Sequence, residues 1–236
     1  MTTEEQIRRR FDRGCVRYGL LADGDRILVA LSGGKDSLML CRLLSERSRI
    51  WRPHFTVEAA HVVMDNIPYE TDVDFLSGFC QQLGIRLHVL HASFDSSTDQ
   101  RHSPCFLCAW NRRHALFEFA ARQGFNKVAL GHHQDDILVT WLMNMTYEGS
   151  VGTMLPLLQL DHFAVTIIRP LCLVHEAWIR EVAASLGFVR QKRPCPFEQV
   201  TRRSDMEAVF RQLEVLNPEA RYSLWQAMEK AQRVDK

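Results

Sequence analysis

The chain is 236 residues long, 46% hydrophobic and formally charged +1. That length suits one large α/β domain with a sizeable core, the near-balanced charge singles out no polyanionic or membrane partner, and no apolar run is long enough to cross a bilayer. Residues 1–10 lack the apolar segment of a secretory signal, so the expected compartment is the cytoplasm, where the seven cysteines stay reduced.

In chain order, residues 5–19 have the pattern of an arginine-rich amphipathic helix, with Arg8, Arg9, Arg10, Arg13 and Arg17 as a nucleic-acid face or a solvated one. A buried strand is expected over 26–31 and a helix over 36–46. A strand over 55–64 ends at Asp65, and a helix near 70–83 stops at Gly84. A strand over 85–90 leads into a polar irregular stretch to Pro104. A helix over 107–123, a short strand over 127–131, a helix over 134–147 and a loop over 148–158 follow. A last strand spans 165–168, and helices near 176–186, 204–216 and 218–232 close the chain. Strands separated by helices predict an α/β fold, a parallel sheet with helices on both faces.

Between the first strand and its helix stands Ser32-Gly33-Gly34-Lys35-Asp36-Ser37. Two glycines let backbone amides approach an anion closely. The helix start adds free amides and a positive dipole end, and Lys35 adds a point charge. The GxxxxGK[ST] spacing of a Walker loop is absent. The six residues resemble the SGGxDS signature of the PP-loop ATP pyrophosphatases, which split ATP between the α and β phosphates and adenylate a substrate.

Ligands of open α/β sheets sit beyond the carboxyl ends of the strands. Asp65 falls there, suited to a ribose or to capping its own loop. So does Gly131-His132-His133-Gln134-Asp135-Asp136, whose paired carboxylates suit Mg²⁺ near a triphosphate. This GHHxDD pattern resembles the second signature of the same pyrophosphatases. Cys15, Cys41, Cys80 and Cys172 have no partner at ligand spacing and read as core. Cys105-Phe-Leu-Cys108 opens a helix, where thiolates are favoured, and Cys195 lies far along the chain in Arg193-Pro194-Cys195-Pro196. Three cysteines suit a 4Fe-4S cluster with one open iron. Zinc would need a fourth donor such as His102, and a persulfide pair is a third chemistry.

Taken together, the chain resembles the tRNA 2-thiocytidine synthetase (TtcA-like) family of PP-loop enzymes. The elements that carry this are the arginine-rich leader with Gly24-Asp25, the SGGKDS loop, Asp65, the CxxC followed by Arg112-Arg113, and Ala129 to Ile137. Asn144 to Tyr147, Ile168 to Leu171 and Pro194-Cys195 complete it. Where the family has a second CxxC, this chain has Cys195-Pro-Phe-Glu198, and the loop after Tyr147 has no lysine.

The resemblance implies an adenine nucleotide α-hydrolase-like sheet with C-terminal helices. Residues 1–236 form one PP-loop ATPase domain, divided into a leading helix (1–22), an α/β core (23–190) and a third-cysteine loop with closing helices (191–236). It implies an enzyme that adenylates a pyrimidine C2 oxygen in tRNA and replaces it with sulfur, with Lys35 and Asp36 catalytic and Cys105, Cys108 and Cys195 holding a 4Fe-4S cluster. ATP would lie on Ser32, Gly33, Gly34, Lys35, Asp36, Ser37, Asp65, Gly131 and His132, with Mg²⁺ on Asp36, Asp135 and Asp136. The expected tRNA contacts are Arg112, Arg113, Arg202 and Arg203. The sulfur donor would be a cysteine desulfurase or sulfide, and family members tend to form homodimers. Two alternatives remain open from the residues: a cluster-free persulfide thiolase or small-molecule ligase, and an ATP-binding module with structural zinc.

Overall fold

The computed structural model describes residues 1–67, 72–95, 103–188 and 202–234. Its helices are α1 (Thr3–Arg17), α2 (Lys35–Ser48), α3 (Val73–Gln82), α4 (Pro104–Arg122), α5 (Gln134–Met143), α6 (Glu176–Ser185), α7 (Arg202–Leu216) and α8 (Ala220–Val234). Its strands are β1 (Arg26–Ala30), β2 (Thr56–Met64), β3 (Leu87–Ala92), β4 (Lys127–Ala129), β5 (Leu157–Gln159) and β6 (Thr166–Ile168).

They form one sheet in the order β3-β2-β1-β4-β6-β5. All neighbouring pairs are parallel except β5–β6. The antiparallel edge strand β5 falls inside the loop expected over 148–158. Its three residues are all exposed, so no alternation marks it in the sequence. The helix expected over 134–147 ends at Met143 and continues as a π-helical turn, Asn144–Glu148, closed by Gly149 at φ +61°. α3 starts later than expected, at Val73, because Asp72 caps it by accepting from the Phe75 amide at 2.8 Å.

The core forms because each central strand buries both faces. In β1, Ile27 and Val29 pack with Leu38, Leu40 and Leu44 of α2, while Leu28 packs on the other face with Leu116 and Ala120 of α4. All three strand residues are fully buried, as a parallel sheet covered by helices requires. α1 starts in a capping box between Thr2 and Glu5 and buries Ile7, Phe11 and Cys15 against the same layer. A third cluster joins α5, α7 and α8 through Ile137, Trp141, Phe210 and Trp225.

At the amino ends of β1 and β4, buried Lys127 donates to Asp25 at 2.6 Å and to the Leu20 carbonyl at 2.9 Å. The Gly24-Asp25 element therefore ties the base of the sheet, far from the carboxyl ends. Strand order reverses between β1 and β4, and this switch point sets the crevice where both predicted loops emerge. No helix among the described residues is long and apolar enough to cross a membrane.

Candidate active site

The loop after β1 is shaped by its own side chains. Gly33 has φ +82°, which only glycine adopts without strain. The Gly34 carbonyl accepts from the Leu38 amide at 3.1 Å and from Ser37 Oγ at 2.9 Å. The Ser32 amide donates to Ser37 Oγ at 3.2 Å. The chain thus wraps around the start of α2, whose first amides have no intrahelical acceptor. Lys35 Nζ sits 3.0 Å from both Asp36 Oδ2 and Glu176 Oε1. Burial works against its charge, but these two carboxylates outweigh it and hold the lysine pKa above the ordinary value. Asp36 Oδ1 is buried with no hydrogen-bond partner among the described residues.

The second loop lies against the first. A Cβ on Gly131 would stand 3.2 Å from the Asp36 carbonyl carbon and 3.2 Å from the Ser37 nitrogen, so the absent side chain lets the end of β4 touch the phosphate loop. His132 Nδ1 accepts from Arg169 Nε at 3.1 Å. Burial first, then Arg169, pushes its pKa down to about 3, so the ring is neutral. His133 caps α5, its Nδ1 accepting from the Asp136 amide at 3.3 Å while Asp136 Oδ2 accepts from the His133 amide at 2.9 Å.

The C-terminal helices reach this point. Arg221 of α8 donates to Asp135 Oδ1 at 2.7 Å and to Glu214 at 2.8 Å. Arg203 of α7 donates to Asp136 Oδ1 and to Glu207. Asp135 Oδ2 accepts from the Glu176 amide at 2.9 Å. Burial would raise the Asp135 pKa, but the Arg221 bond and charge, the Glu176 amide and His133 together outweigh it and the carboxyl sits below its ordinary value. These groups, with Lys35 and Asp36, line a cleft of about 390 Å³.

Asp36, Asp135 and Asp136 were expected to share Mg²⁺. Among the described residues no group of three His, Cys, Asp or Glu side chains is arranged to hold a metal ion. The reason is that both oxygens of Asp135 and of Asp136 already accept hydrogen bonds, one from an arginine and one from a backbone amide in each case. Asp36, with its unpartnered oxygen, fits a cation; the pair on α5 does not fit as it stands.

The thiols open α4. Ser103 caps the helix and Pro104 is its first residue. Cys105 is exposed and Cys108 half-buried, one turn apart at the helix start. Arg112 Nη2 lies 3.6 Å from Cys108 Sγ. These donors fit two ligands of a cluster; Cys195, Arg190, Lys192, Arg193 and His102 lie outside the described residues. Arg112 and Arg113 line a small cleft with Ser32, Leu31 and His61 at the ends of β1 and β2. Asp65 is exposed at the end of β2, its Oδ1 2.8 Å from His91 Nδ1.

The structure therefore brings together Ser32 to Ser37, Gly131, Asp135, Asp136 and Arg203, and sets Arg112 and Arg113 on the same rim. Arg203 faces the cleft through Asp136, whereas Arg202 lies outside over the Tyr147 ring at 5.2 Å. On the leading helix, Arg8 and Arg17 are bridged to Glu46 and Glu229. Cys15, Cys41, Cys80 and Cys172 are all buried, as expected of core residues. Glu176 and Arg221 were not foreseen: each stands at or near a helix start with no motif around it. The one available signal was the repeated arginine in the closing helices.

Residues 3–192 match the family described as PP-loop domain. The chain is 34% identical over 213 residues to a tRNA-cytidine(32) 2-sulfurtransferase of Bdellovibrio bacteriovorus, covering 89% of this chain and 82% of that one. It is 32% identical to the enzyme of the same name from Geobacter sulfurreducens, covering 95% and 89%. Among solved structures, the U34-tRNA thiolase NcsA of Methanococcus maripaludis, with its [4Fe-4S] cluster, superposes with a TM-score of 0.79 at 26% identity, over 97% of this chain and 79% of that one. The phosphate loop, its partner loop on α5 and these likenesses agree, and the chain belongs to the PP-loop family, within its tRNA-cytidine(32) 2-sulfurtransferase group.

Proposed function

We propose that this protein is an ATP-dependent tRNA sulfurtransferase that adenylates the C2 carbonyl oxygen of a cytidine and exchanges that oxygen for sulfur. The observation that carries this reading is the shared rim. Arg112, one turn after Cys108, lines the same small cleft as Ser32 of the phosphate loop. A thiol-bearing helix and a phosphate loop that meet there serve one substrate atom.

The residues divide the work. Amides of residues 32–37 and the start of α2 receive the ATP phosphates. Asp65 faces the nucleoside side, and Gly131 and His132 close the loop from behind. The carbonyl oxygen attacks the α phosphorus and the bond to pyrophosphate breaks. Lys35, moving from Asp36 and Glu176, neutralises the departing pyrophosphate. Asp36 Oδ1 would hold Mg²⁺, which would neutralise phosphate charge; it is buried and accepts no hydrogen bond among the described residues. Sulfur at the sulfide level, supplied as such or reduced from a persulfide by external thiols, then bonds to C2 with loss of its protons, the C2–O bond breaks, and AMP leaves with the original oxygen. A [4Fe-4S] cluster held by Cys105, Cys108 and Cys195 supplies the site that carries this sulfur. Arg112 steadies the Cys108 thiolate, and Arg113 and Arg202 meet tRNA phosphates. Residues 1–236 act as one domain, a cysteine desulfurase or sulfide provides the sulfur, and the working unit is a homodimer.

Anaerobic purification tests this. Expected are brown protein with iron and acid-labile sulfide in equal amounts, and AMP and pyrophosphate released only when unmodified tRNA is present. Colourless protein with stoichiometric zinc, or nucleotide turnover indifferent to tRNA, overturns the proposal.

A further inference from the structure

The outward side of α4 carries Trp110 and His114, which line neither of the two clefts described above. At 3.6 residues per turn, Cys108, Arg112 and Cys105 occupy one edge of the helix. Arg113 follows around the cylinder, and Trp110 and His114 come next. Trp110 is 50% exposed. Its indole stacks on the His114 imidazole, with ring centroids 5.1 Å apart and planes 24° from parallel. His114 meets Phe163 edge-on at 5.6 Å, and Phe163 packs at 5.9 Å on buried Phe117. A half-exposed indole is therefore fixed by a chain of rings that runs into the core.

Leaving so large an apolar ring in water forfeits the free energy of its burial. Holding it in one orientation removes an entropy cost that a stacking partner would otherwise meet on binding. The neighbourhood identifies the partner. Arg113 is exposed, its Nε donating to the Ala109 carbonyl at 3.1 Å, and it reaches the small cleft beside Ser32. A flat aromatic face next to a cationic edge suits an unpaired nucleotide, which offers a π-face and a phosphate together. An apolar protein surface would gain nothing from the guanidinium.

We propose that Trp110 is a stacking platform for an unpaired base adjoining the target nucleotide, with Arg113 on the phosphate between them. The inference rests on the tRNA reading above and adds the side chains that hold the loop open at the thiols.

The test measures equilibrium binding of in vitro transcribed, unmodified tRNA to the whole protein at several salt concentrations. Trp110→Ala should weaken binding about 5- to 100-fold, as loss of one base stack does, and Trp110→Phe should retain most of the affinity. The slope of log affinity against log salt should be unchanged in Trp110→Ala and shallower by roughly 0.7–0.9 in Arg113→Gln. ATP affinity, measured alongside, should be unchanged in both Trp110 variants. Independently of the alanine variant, wild-type indole fluorescence should fall on tRNA addition, and the fall should be smaller in Trp110→Phe. Equal tRNA binding by wild type and Trp110→Ala, or quenching undiminished in Trp110→Phe, overturns the platform while leaving the substrate reading intact. Wild-type protein that binds no tRNA overturns both.

Discussion

Two glycines of the site look alike in the sequence and differ in what they exclude. Gly34 has φ −85° and ψ 158°, ordinary for any residue, and its Cβ would meet nothing nearer than Ser32 Oγ at 3.6 Å. Gly131 faces two backbone atoms at 3.2 Å. Gly34→Val should therefore leave stability within about 1 kcal/mol, the range of N-cap exchanges, and abolish ATP binding, because the side chain stands where phosphate approaches backbone. Gly131→Ala should lower stability by about 1–3 kcal/mol, as overpacking does. Thermal unfolding and nucleotide titration of both variants check the contrast; a stable Gly131→Ala protein with full affinity would refute the packing role. His132 adds a pH signature. Its folded pKa is about 3, against about 6.5 in an unfolded chain. Between those values the unfolded state binds a proton that the folded state refuses, so stability falls as pH drops from 6.5 towards 3. His132→Gln should flatten that limb by up to about 1.4 kcal/mol per pH unit and change nothing above pH 7.5, as denaturant titration would show.

At the scale of elements, the loops that follow β1 and β4 were legible because their chemistry is local: glycines, a lysine and carboxylates in fixed order between a strand and a helix. Their engagement by α7 and α8 was not, since Arg203 and Arg221 come from helices distant in sequence and carry no spacing that points to Asp136 or Asp135. The same reason hid the loss of a ready Mg²⁺ triad. β5 escaped because three exposed residues show no period, whereas the long buried run of β1 declared itself. The CxxC was legible as a pair; its position beside the phosphate-loop rim needed the fold. Arg221→Met should destabilise the protein by roughly 1.5–3 kcal/mol, the range for bonds to charged groups. The bridge contributes fully above the unfolded carboxylate pKa near 3.9 and is lost as pH falls through the lowered pKa of Asp135. Without Arg221, burial is opposed only by the Glu176 amide and His133 and that pKa rises, so acid unfolding should begin at a higher pH. An unshifted acid midpoint in Arg221→Met would show that α8 is held on α5 by its apolar contacts alone.

For the whole molecule, a formal charge of +1 leaves tRNA binding to local arginines rather than to a general field. The structure sorts those arginines. Arg203 is committed to Asp136 and Glu207, and Arg112 sits against Cys108, so both act within the site. Arg113 and Arg202 are exposed, and on the proposed function they are the ones that meet tRNA phosphates. On the proposed function, tRNA affinity should fall with salt, and replacing Arg113 and Arg202 together by glutamine should reduce the slope of log affinity against log salt by about 1.4–1.8, the counterion release of two phosphates. Arg203→Gln should behave differently. It frees Asp136 in the cleft, so the expected change is in the nucleotide and metal dependence of AMP formation, with the salt slope for tRNA unaltered. Binding isotherms at four or more salt concentrations, run beside magnesium titrations of AMP release, separate the two groups. If Arg203→Gln flattens the salt slope as far as the exposed pair does, the C-terminal helices open away from α5 to receive the RNA, and the division between inner and outer arginines fails.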